Sequence, residues 1–249
     1  MKYIILGAIQ GLTEFLPISS SGHLVVFEHF LNVHFPGITF EVFLHLATLT
    51  AVVIYLWKDV IDIFHFKKYS FWEQPIVLII IGTIPAGIVG LLFNDRIETF
   101  FVTIKWVRYF FILNSFILLT SMWSKGGREK ITPWDALLIG IGQSLAILPG
   151  ISRSGTTITV ALLLGIAPRK AFSFSFLLSL AAISGAAVLK LKGIEHFALT
   201  TGYLTGFFSA LIFGLIAIIV LKRVVLVRKL HYFGYYTLAL GIILFSFRE

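Results

Sequence analysis

The sequence predicts an all-α integral membrane protein with about six transmembrane helices and two re-entrant helix–loop–helix hairpins in an inverted-topology repeat. Three observations predict it. The 249 residues are 58% hydrophobic and 13% charged, against about 45–50% and about 25% in a soluble domain. The apolar residues gather in runs long enough for a bilayer. Two interrupted apolar regions repeat one another. The composition excludes a soluble enzyme and a disordered chain, and residues 1–249 read as a single membrane domain with no room for a soluble one.

The first apolar region runs Ile4–Leu16, breaks at Pro17–Gly22 and resumes at His23–Leu31. Its opening looks briefly like a signal peptide, but Gln10 and Glu14 interrupt it and no small-residue cleavage site follows, so it is expected to stay in the mature protein. Three spans follow, Thr39–Trp57, Pro75–Phe93 and Val107–Trp123. The second interrupted region is Trp134–Leu148, a polar break Pro149–Gly155, then Thr156–Ile166. Spans Ala171–Leu189, Thr201–Leu221 and Tyr232–Phe247 complete the chain. Each half of an interrupted region is too short to cross, so each region reads as a hairpin that enters and returns on one side.

The two interrupted regions match at a constant offset of 133, with Gly7/Gly140, Gln10/Gln143, Leu12/Leu145, Ile18/Ile151, Ser19/Ser152, Ser21/Ser154 and Gly22/Gly155 identical. With one residue inserted the match continues as Phe40/Phe174, Leu44/Leu178, Leu46/Leu180 and Ala47/Ala181. Chance similarity of apolar stretches does not explain polar and glycine matches at one offset. The repeat halves are about 1–123 and 134–249.

Loop charges set the orientation. One side holds Lys58, Lys67, Lys68, Lys125, Arg128, Lys130, Arg169, Lys170, Lys222, Arg223, Arg228 and Lys229. The other holds Lys2, Arg96, Lys105, Arg108, Lys190, Lys192 and Arg248. Twelve against seven makes the first side cytoplasmic, with both termini outside and the hairpins entering from opposite faces. The net charge of +8 would suggest nucleic acid in a soluble protein; here it is loop charge that meets anionic lipid, and no nucleic-acid partner is expected. Without cysteine there are no disulfides, thiolates or Cys-bound metals.

The chemistry sits in the two breaks. Gln10 and Glu14 share a helix face one turn apart, with Gly7 leaving room beside them. Pro17 ends that half-helix, and Ser19, Ser20, Ser21 and Gly22 supply hydroxyls and amides at the start of the next, as an anion site requires. The second break, Pro149 to Thr157, has the same build with Ser152, Ser154 and Gly155, and adds Arg153, whose guanidinium can hold two phosphate oxygens. If the breaks meet, they form a phosphate-binding set with a base or metal ligand added. Ionisable groups at membrane depth are functional by default. The alternative is a structural Glu14–Arg153 ion pair with serines that merely cap helices, yet a cap needs one hydroxyl, not three in a row. For His23 a structural hydrogen bond and a catalytic role stand level. Glu41 and His45, also one turn apart, read better as a satisfied buried pair, and Glu28 and His29 as interfacial. Trp57, Trp72, Trp106, Trp123 and Trp134 fit an aromatic belt near span ends. There is no Walker loop, HExxH or dinucleotide fingerprint.

At these residues the chain resembles the undecaprenyl-diphosphate phosphatase, or bacitracin-resistance, family. The family's (E/Q)xxxE motif is matched by Gln10 to Glu14, running into Pro17-Ile18-Ser19-Ser20-Ser21-Gly22-His23. Its PGxSRSGxT motif is matched from Pro149 to Thr157, and Phe40 to Leu49 is similar to its FxxxLHxGTL stretch, with Ala47 in place of Gly. Gln10 takes the neutral option of the first motif, which puts more weight on Glu14. The resemblance implies hydrolysis of a polyprenyl diphosphate to the monophosphate on the outer face of the bacterial cytoplasmic membrane, stimulated by a divalent cation, Mg²⁺ or Ca²⁺. Ser20 matches the family's implicated serine and is the candidate nucleophile. Glu14 then acts as its base or as a metal ligand, and Arg153, Ser152 and Thr157 neutralise the phosphoryl group. His23 takes a proton, gives one to the leaving oxygen, or is itself the nucleophile. Gln10, Ser19, Ser21, Gly22, Ser154 and Gly155 complete the binding set. A homodimer is compatible with the chain. The rival reading is a polyprenyl-phosphate transporter or flippase, which would need the headgroup cradle but no base and nucleophile. A lipid-binding scaffold without chemistry is a further rival.

Overall fold

The computed structural model describes residues 1–31, 38–65, 70–101, 103–191 and 200–247. They form twelve α-helices: α1 Lys2–Phe15, α2 Ser20–Leu31, α3 Ile38–Tyr55, α4 Trp57–Asp62, α5 Pro75–Leu92, α6 Asn94–Phe101, α7 Ile104–Thr120, α8 Pro133–Leu145, α9 Arg153–Leu163, α10 Pro168–Leu191, α11 Thr201–Leu226 and α12 Tyr232–Ile243. No strand occurs among the described residues beyond one isolated bridge between Arg128 and Ile166. Lys67, Lys68, Lys192 and Arg248, and the side chains of Glu28 and Lys190, lie outside the described residues, so part of the charge count above does too.

Every predicted span coincides with a helix, but not every helix is a full crossing. Three are long and apolar enough by themselves: Pro75–Leu92, Pro168–Val188 and Thr201–Leu226. A fourth arises if α6 and α7 count as one bent span, and Phe40–Tyr55 and Tyr232–Ser246 are shorter apolar helices. At 1.5 Å per residue a helix of about 16 residues spans roughly 24 Å, short of the roughly 30 Å hydrocarbon core. The fold is therefore all-α and membrane-embedded, with three or four helices that meet the length test. α4 and α6 have no counterpart in the hydropathy reading, because short charged helices leave no apolar run.

Local chemistry explains the helix starts. Pro75, Pro133 and Pro168 each open a helix, where a missing N–H costs nothing. Thr132 and Asp135 form a reciprocal capping box at α8, and Ser152 and Thr200 cap α9 and α11 with their side chains. Arg128 extends the α8 cap. Its guanidinium forks onto both Asp135 carboxylate oxygens at 2.8 Å and also reaches the Leu164 carbonyl. Its backbone meanwhile bonds to Gly165 and Ala167. The start of α8 and the end of α9 are thereby tied together. Asp135→Asn removes the cap acceptor and one arm of the fork. It is expected to lower stability by about 2–3 kcal/mol, visible as a lower melting temperature in detergent; an unchanged one would make the tie decorative.

α1 packs chiefly on α11, α8 on α5, and α12 on α7. The first two contacts share one device. At Gly7 an added Cβ would collide with the Gly206 carbonyl oxygen, and at Gly140 it would collide with that of Gly82. Backbone packs on backbone, as small residues permit in apolar surroundings. The main core gathers Phe15, Phe172, Phe176, Ile139, Ile158 and Leu178, so both breaks are set into its wall.

Candidate active site between the two helix breaks

α1 delivers Gln10 and Glu14 to the centre of the molecule. The Glu14 side chain is only 8% exposed, so a carboxylate there needs partners. It has three. Ser20 Oγ donates to Glu14 Oε2 at 2.8 Å, Gln10 Nε2 donates to the same oxygen at 3.1 Å, and Arg153 Nη2 donates to Oε1 at 3.1 Å. Residues from α1, the first break and the second break thus meet on one carboxylate. His45 joins from α3, with Nδ1 3.2 Å from Gln10 Nε2 and 3.7 Å from Glu14 Oε2, while its Nε2 lies 3.7 Å from Glu41 Oε1. Glu41 and His45 thus lie near one another at the border of the site, but both side chains are partly exposed rather than buried.

The remaining hydroxyls hold the breaks in shape. Ser19 sits at φ +68°, a left-handed conformation that a non-glycine residue adopts at a cost. Its Oγ accepts from the Gly22 amide at 3.3 Å, capping α2, and from the Gly150 amide of the other break at 3.0 Å. Ser21 Oγ lies 3.3 Å from Ser19 Oγ. In the second break Ser152 Oγ accepts from the Gly155 amide, and Ser154 Oγ donates to the Phe15 carbonyl at 2.8 Å. Thr157 Oγ1 bonds the Arg153 carbonyl and Ser175 Oγ. Gly22 has no room for a Cβ against Gly150 and Phe111, nor Gly155 against Pro17 and Leu118. Of the predicted hydroxyls, Ser20 alone meets Glu14 among the described contacts.

His23 faces elsewhere. Its Nδ1 lies 2.8 Å from the Ser19 carbonyl and its Nε2 2.8 Å from Tyr236 Oη. The carbonyl only accepts, so Nδ1 carries the proton and Nε2 accepts from the tyrosine. Tyr236 stacks on the ring and Phe111 meets it edge-on. Tyr236, Ser175 and Asn114 went unread in the sequence; Asn114 had a signal, an amide inside a mostly apolar span.

Two polar atoms in the site are buried without a partner, Arg153 Nη1 and Gln10 Oε1. An orphaned guanidinium nitrogen beside a carboxylate suits an anionic ligand. Arg153 also lines a cavity of about 190 Å³, which it shares with His45 and Gln143 and which is otherwise apolar, walled by Ala86, Ala146 and Ala186. A larger cavity of about 530 Å³, among Asp59, Glu73, Lys130 and Lys170, contains no motif residue. For a cation, no group of three or more His, Asp or Glu with metal-binding geometry occurs among the described residues. Mg²⁺ needs less when substrate phosphates complete its shell. Glu14 and the orphaned Gln10 Oε1 are the oxygen donors beside Arg153, with the Gln10 amide nitrogen turned toward Glu14.

The chain matches the family model for bacitracin resistance protein BacA over residues 3–243. It is 43% identical to an undecaprenyl-diphosphatase of Thermosipho africanus, covering 98% of this chain and 99% of that one. It is 42% identical to an undecaprenyl-diphosphatase of Halothermothrix orenii, covering 98% and 96%. A Methanococcus vannielii protein of the same name is 41% identical, covering 95% of each.

Proposed function

Because the chain belongs to the bacitracin resistance protein BacA family, we propose that it is a membrane phosphatase that hydrolyses undecaprenyl diphosphate to the monophosphate and inorganic phosphate, recycling the lipid carrier of cell-wall synthesis. The observation that carries this reading is the 2.8 Å hydrogen bond from Ser20 Oγ to Glu14, with Arg153 on the other carboxylate oxygen. A carrier protein has no use for a hydroxyl poised on a base, so the contact favours hydrolysis over transport.

Ser20 Oγ attacks the terminal phosphorus and its proton passes to Glu14 Oε2. The new Oγ–P bond forms as the anhydride P–O bond breaks, and the polyprenyl monophosphate leaves. Glu14 passes that proton to the departing phosphate oxygen, which restores the carboxylate; it then takes a proton from the water that attacks the phosphoserine and returns it to Ser20 Oγ as inorganic phosphate leaves. Arg153 Nη1, otherwise orphaned, holds the transferring phosphoryl oxygens. The alanine-walled cavity beside Arg153 takes the first part of the prenyl chain. Glu14 and Gln10 would hold a divalent cation, Mg²⁺ or Ca²⁺, which would supply charge neutralisation on the diphosphate. Ser19, Ser21, Gly22, Ser152, Ser154, Gly155 and Thr157 shape the two breaks around it, and His23 fixes the first break through the Ser19 carbonyl.

The six-span, two-hairpin inverted repeat is part of this proposal. The tie at Arg128 between the start of α8 and the end of α9 supports a hairpin that returns to its own side. The matched Gly7–Gly206 and Gly140–Gly82 crossings support two related halves that exchange partners. The charge bias supports an outward-facing site in the bacterial cytoplasmic membrane.

The test is phosphate release by the detergent-purified chain from farnesyl or undecaprenyl diphosphate, with and without EDTA. Release that EDTA suppresses is expected; none with any cation would favour the transporter. Trapping and mapping the phospho-enzyme is expected to place the label on Ser20. Label on His23, or no covalent label, sinks the serine route.

A further inference from the structure

The geometry points to Asn114 as a positioning residue for the hydrolysis, a single side chain from a third helix that holds the serine break and the arginine break in register. Asn114 lies in the middle of α7, 0% exposed. Its Oδ1 accepts from the Ser152 amide at 2.9 Å, one residue before Arg153. Its Nδ2 donates to the Pro17 carbonyl at 3.2 Å, three residues before Ser20, with the Thr237 hydroxyl of α12 at 3.5 Å. One amide thus ties both breaks at once, from a helix that contributes nothing else to the Glu14 cluster among the described contacts. The donor and acceptor ends are not interchangeable: one break offers an N–H and the other a C=O. Only a side chain with both, in this orientation, serves both. The amide touches no reacting atom. It acts by fixing the distance between Ser20 and Arg153, whose meeting on Glu14 is what the reaction uses.

The inference rests on the phosphatase reading, and the experiment separates the two. Asn114→Leu keeps the size and suits an apolar span but makes neither bond. Its kcat for farnesyl diphosphate, per folded molecule counted by size-exclusion chromatography, is expected to fall about a hundredfold, more than KM changes. Asn114→Asp is the second variant. Its carboxylate still accepts from Ser152 but repels the Pro17 carbonyl, and donates to it only when protonated. The ratio of Asn114→Asp activity to unmodified activity is therefore expected to rise as pH falls. The other titratable groups near the breaks, His23 on α2, Tyr236 on α12, Arg153 on α9 and Glu14 on α1, are present in both proteins, so the ratio isolates the pH response that the new carboxylate brings, directly or through them. A merely structural role lowers the yield of folded protein but leaves its kcat and this ratio unchanged. Unmodified release with Asn114→Leu at full kcat, or a flat ratio for Asn114→Asp, overturns the inference alone. No release from the unmodified chain overturns it together with the phosphatase reading.

Discussion

Glu14→Gln is expected to lower kcat for a prenyl diphosphate roughly a thousandfold, the scale of losing a positioned general base. The substitution keeps the side chain's length and its capacity to accept from Ser20, so the geometry of the site survives. What goes is the capacity to take the serine proton and the negative charge that faces Arg153 at 3.1 Å. Released from its ion pair, Arg153 is free to bind the diphosphate with both ends of its fork, which offsets the loss of Glu14 as a cation ligand, so kcat is expected to fall far more than KM changes. Steady-state phosphate release over a range of farnesyl diphosphate concentrations separates the two parameters. A kcat within tenfold of the unmodified protein would remove Glu14 from the base role.

Gly140→Ala is expected to damage the fold severely for a single added methyl group. Its Cβ would point into the Gly82 carbonyl oxygen where α8 crosses α5, and no flexible side chain is present to give way. Overpacking of this kind costs about 1–3 kcal/mol or more, a large share of the roughly 5–15 kcal/mol that holds a protein together. Gly87→Ala, on α5 itself, is the matched control. Nothing lies within 4 Å of its added Cβ, and the better helix propensity favours alanine by up to about 1 kcal/mol. Thermal unfolding of the two variants in one detergent should shift in opposite directions. Equal shifts would mean that the crossing has slack.

Much of this was legible because the bilayer imposes coarse rules on sequence. Apolar runs must be helices, and a polar break such as Pro149–Gly155 stands out against them. Boundaries were less legible. Hydropathy starts the second half-helix at Thr156, whereas α9 begins at Arg153, because the Ser152 cap and the protein around it, rather than lipid, satisfy that first turn. The repeat suggests that the two breaks meet; the direct Glu14–Arg153 pair at 3.1 Å and the Ser19 and Ser152 caps are features of the structural alternative that it leaves open. The direction of a ring was not legible: His23 sits in a motif stretch, yet its two nitrogens answer to Ser19 and Tyr236, the latter 213 residues away. Asn114 stands out as an amide in its span, but what it binds was hidden for a similar reason. Its partners are backbone groups of distant breaks, which no local pattern encodes.

The shared oxygen of Ser19 has a consequence for the charged cluster. It caps α2 and grips the Gly150 amide at the same time, so parting the two breaks would strip amides on both sides of the molecule. Charged groups at membrane depth are costly wherever water cannot reach them. The Ser19 clasp, with Gly22 pressed on Gly150 and Gly155 on Pro17, holds the two breaks together beside Glu14 and Arg153. Separating them would therefore cost hydrogen bonds and packing at once, which makes the charged cluster a fixed part of the fold.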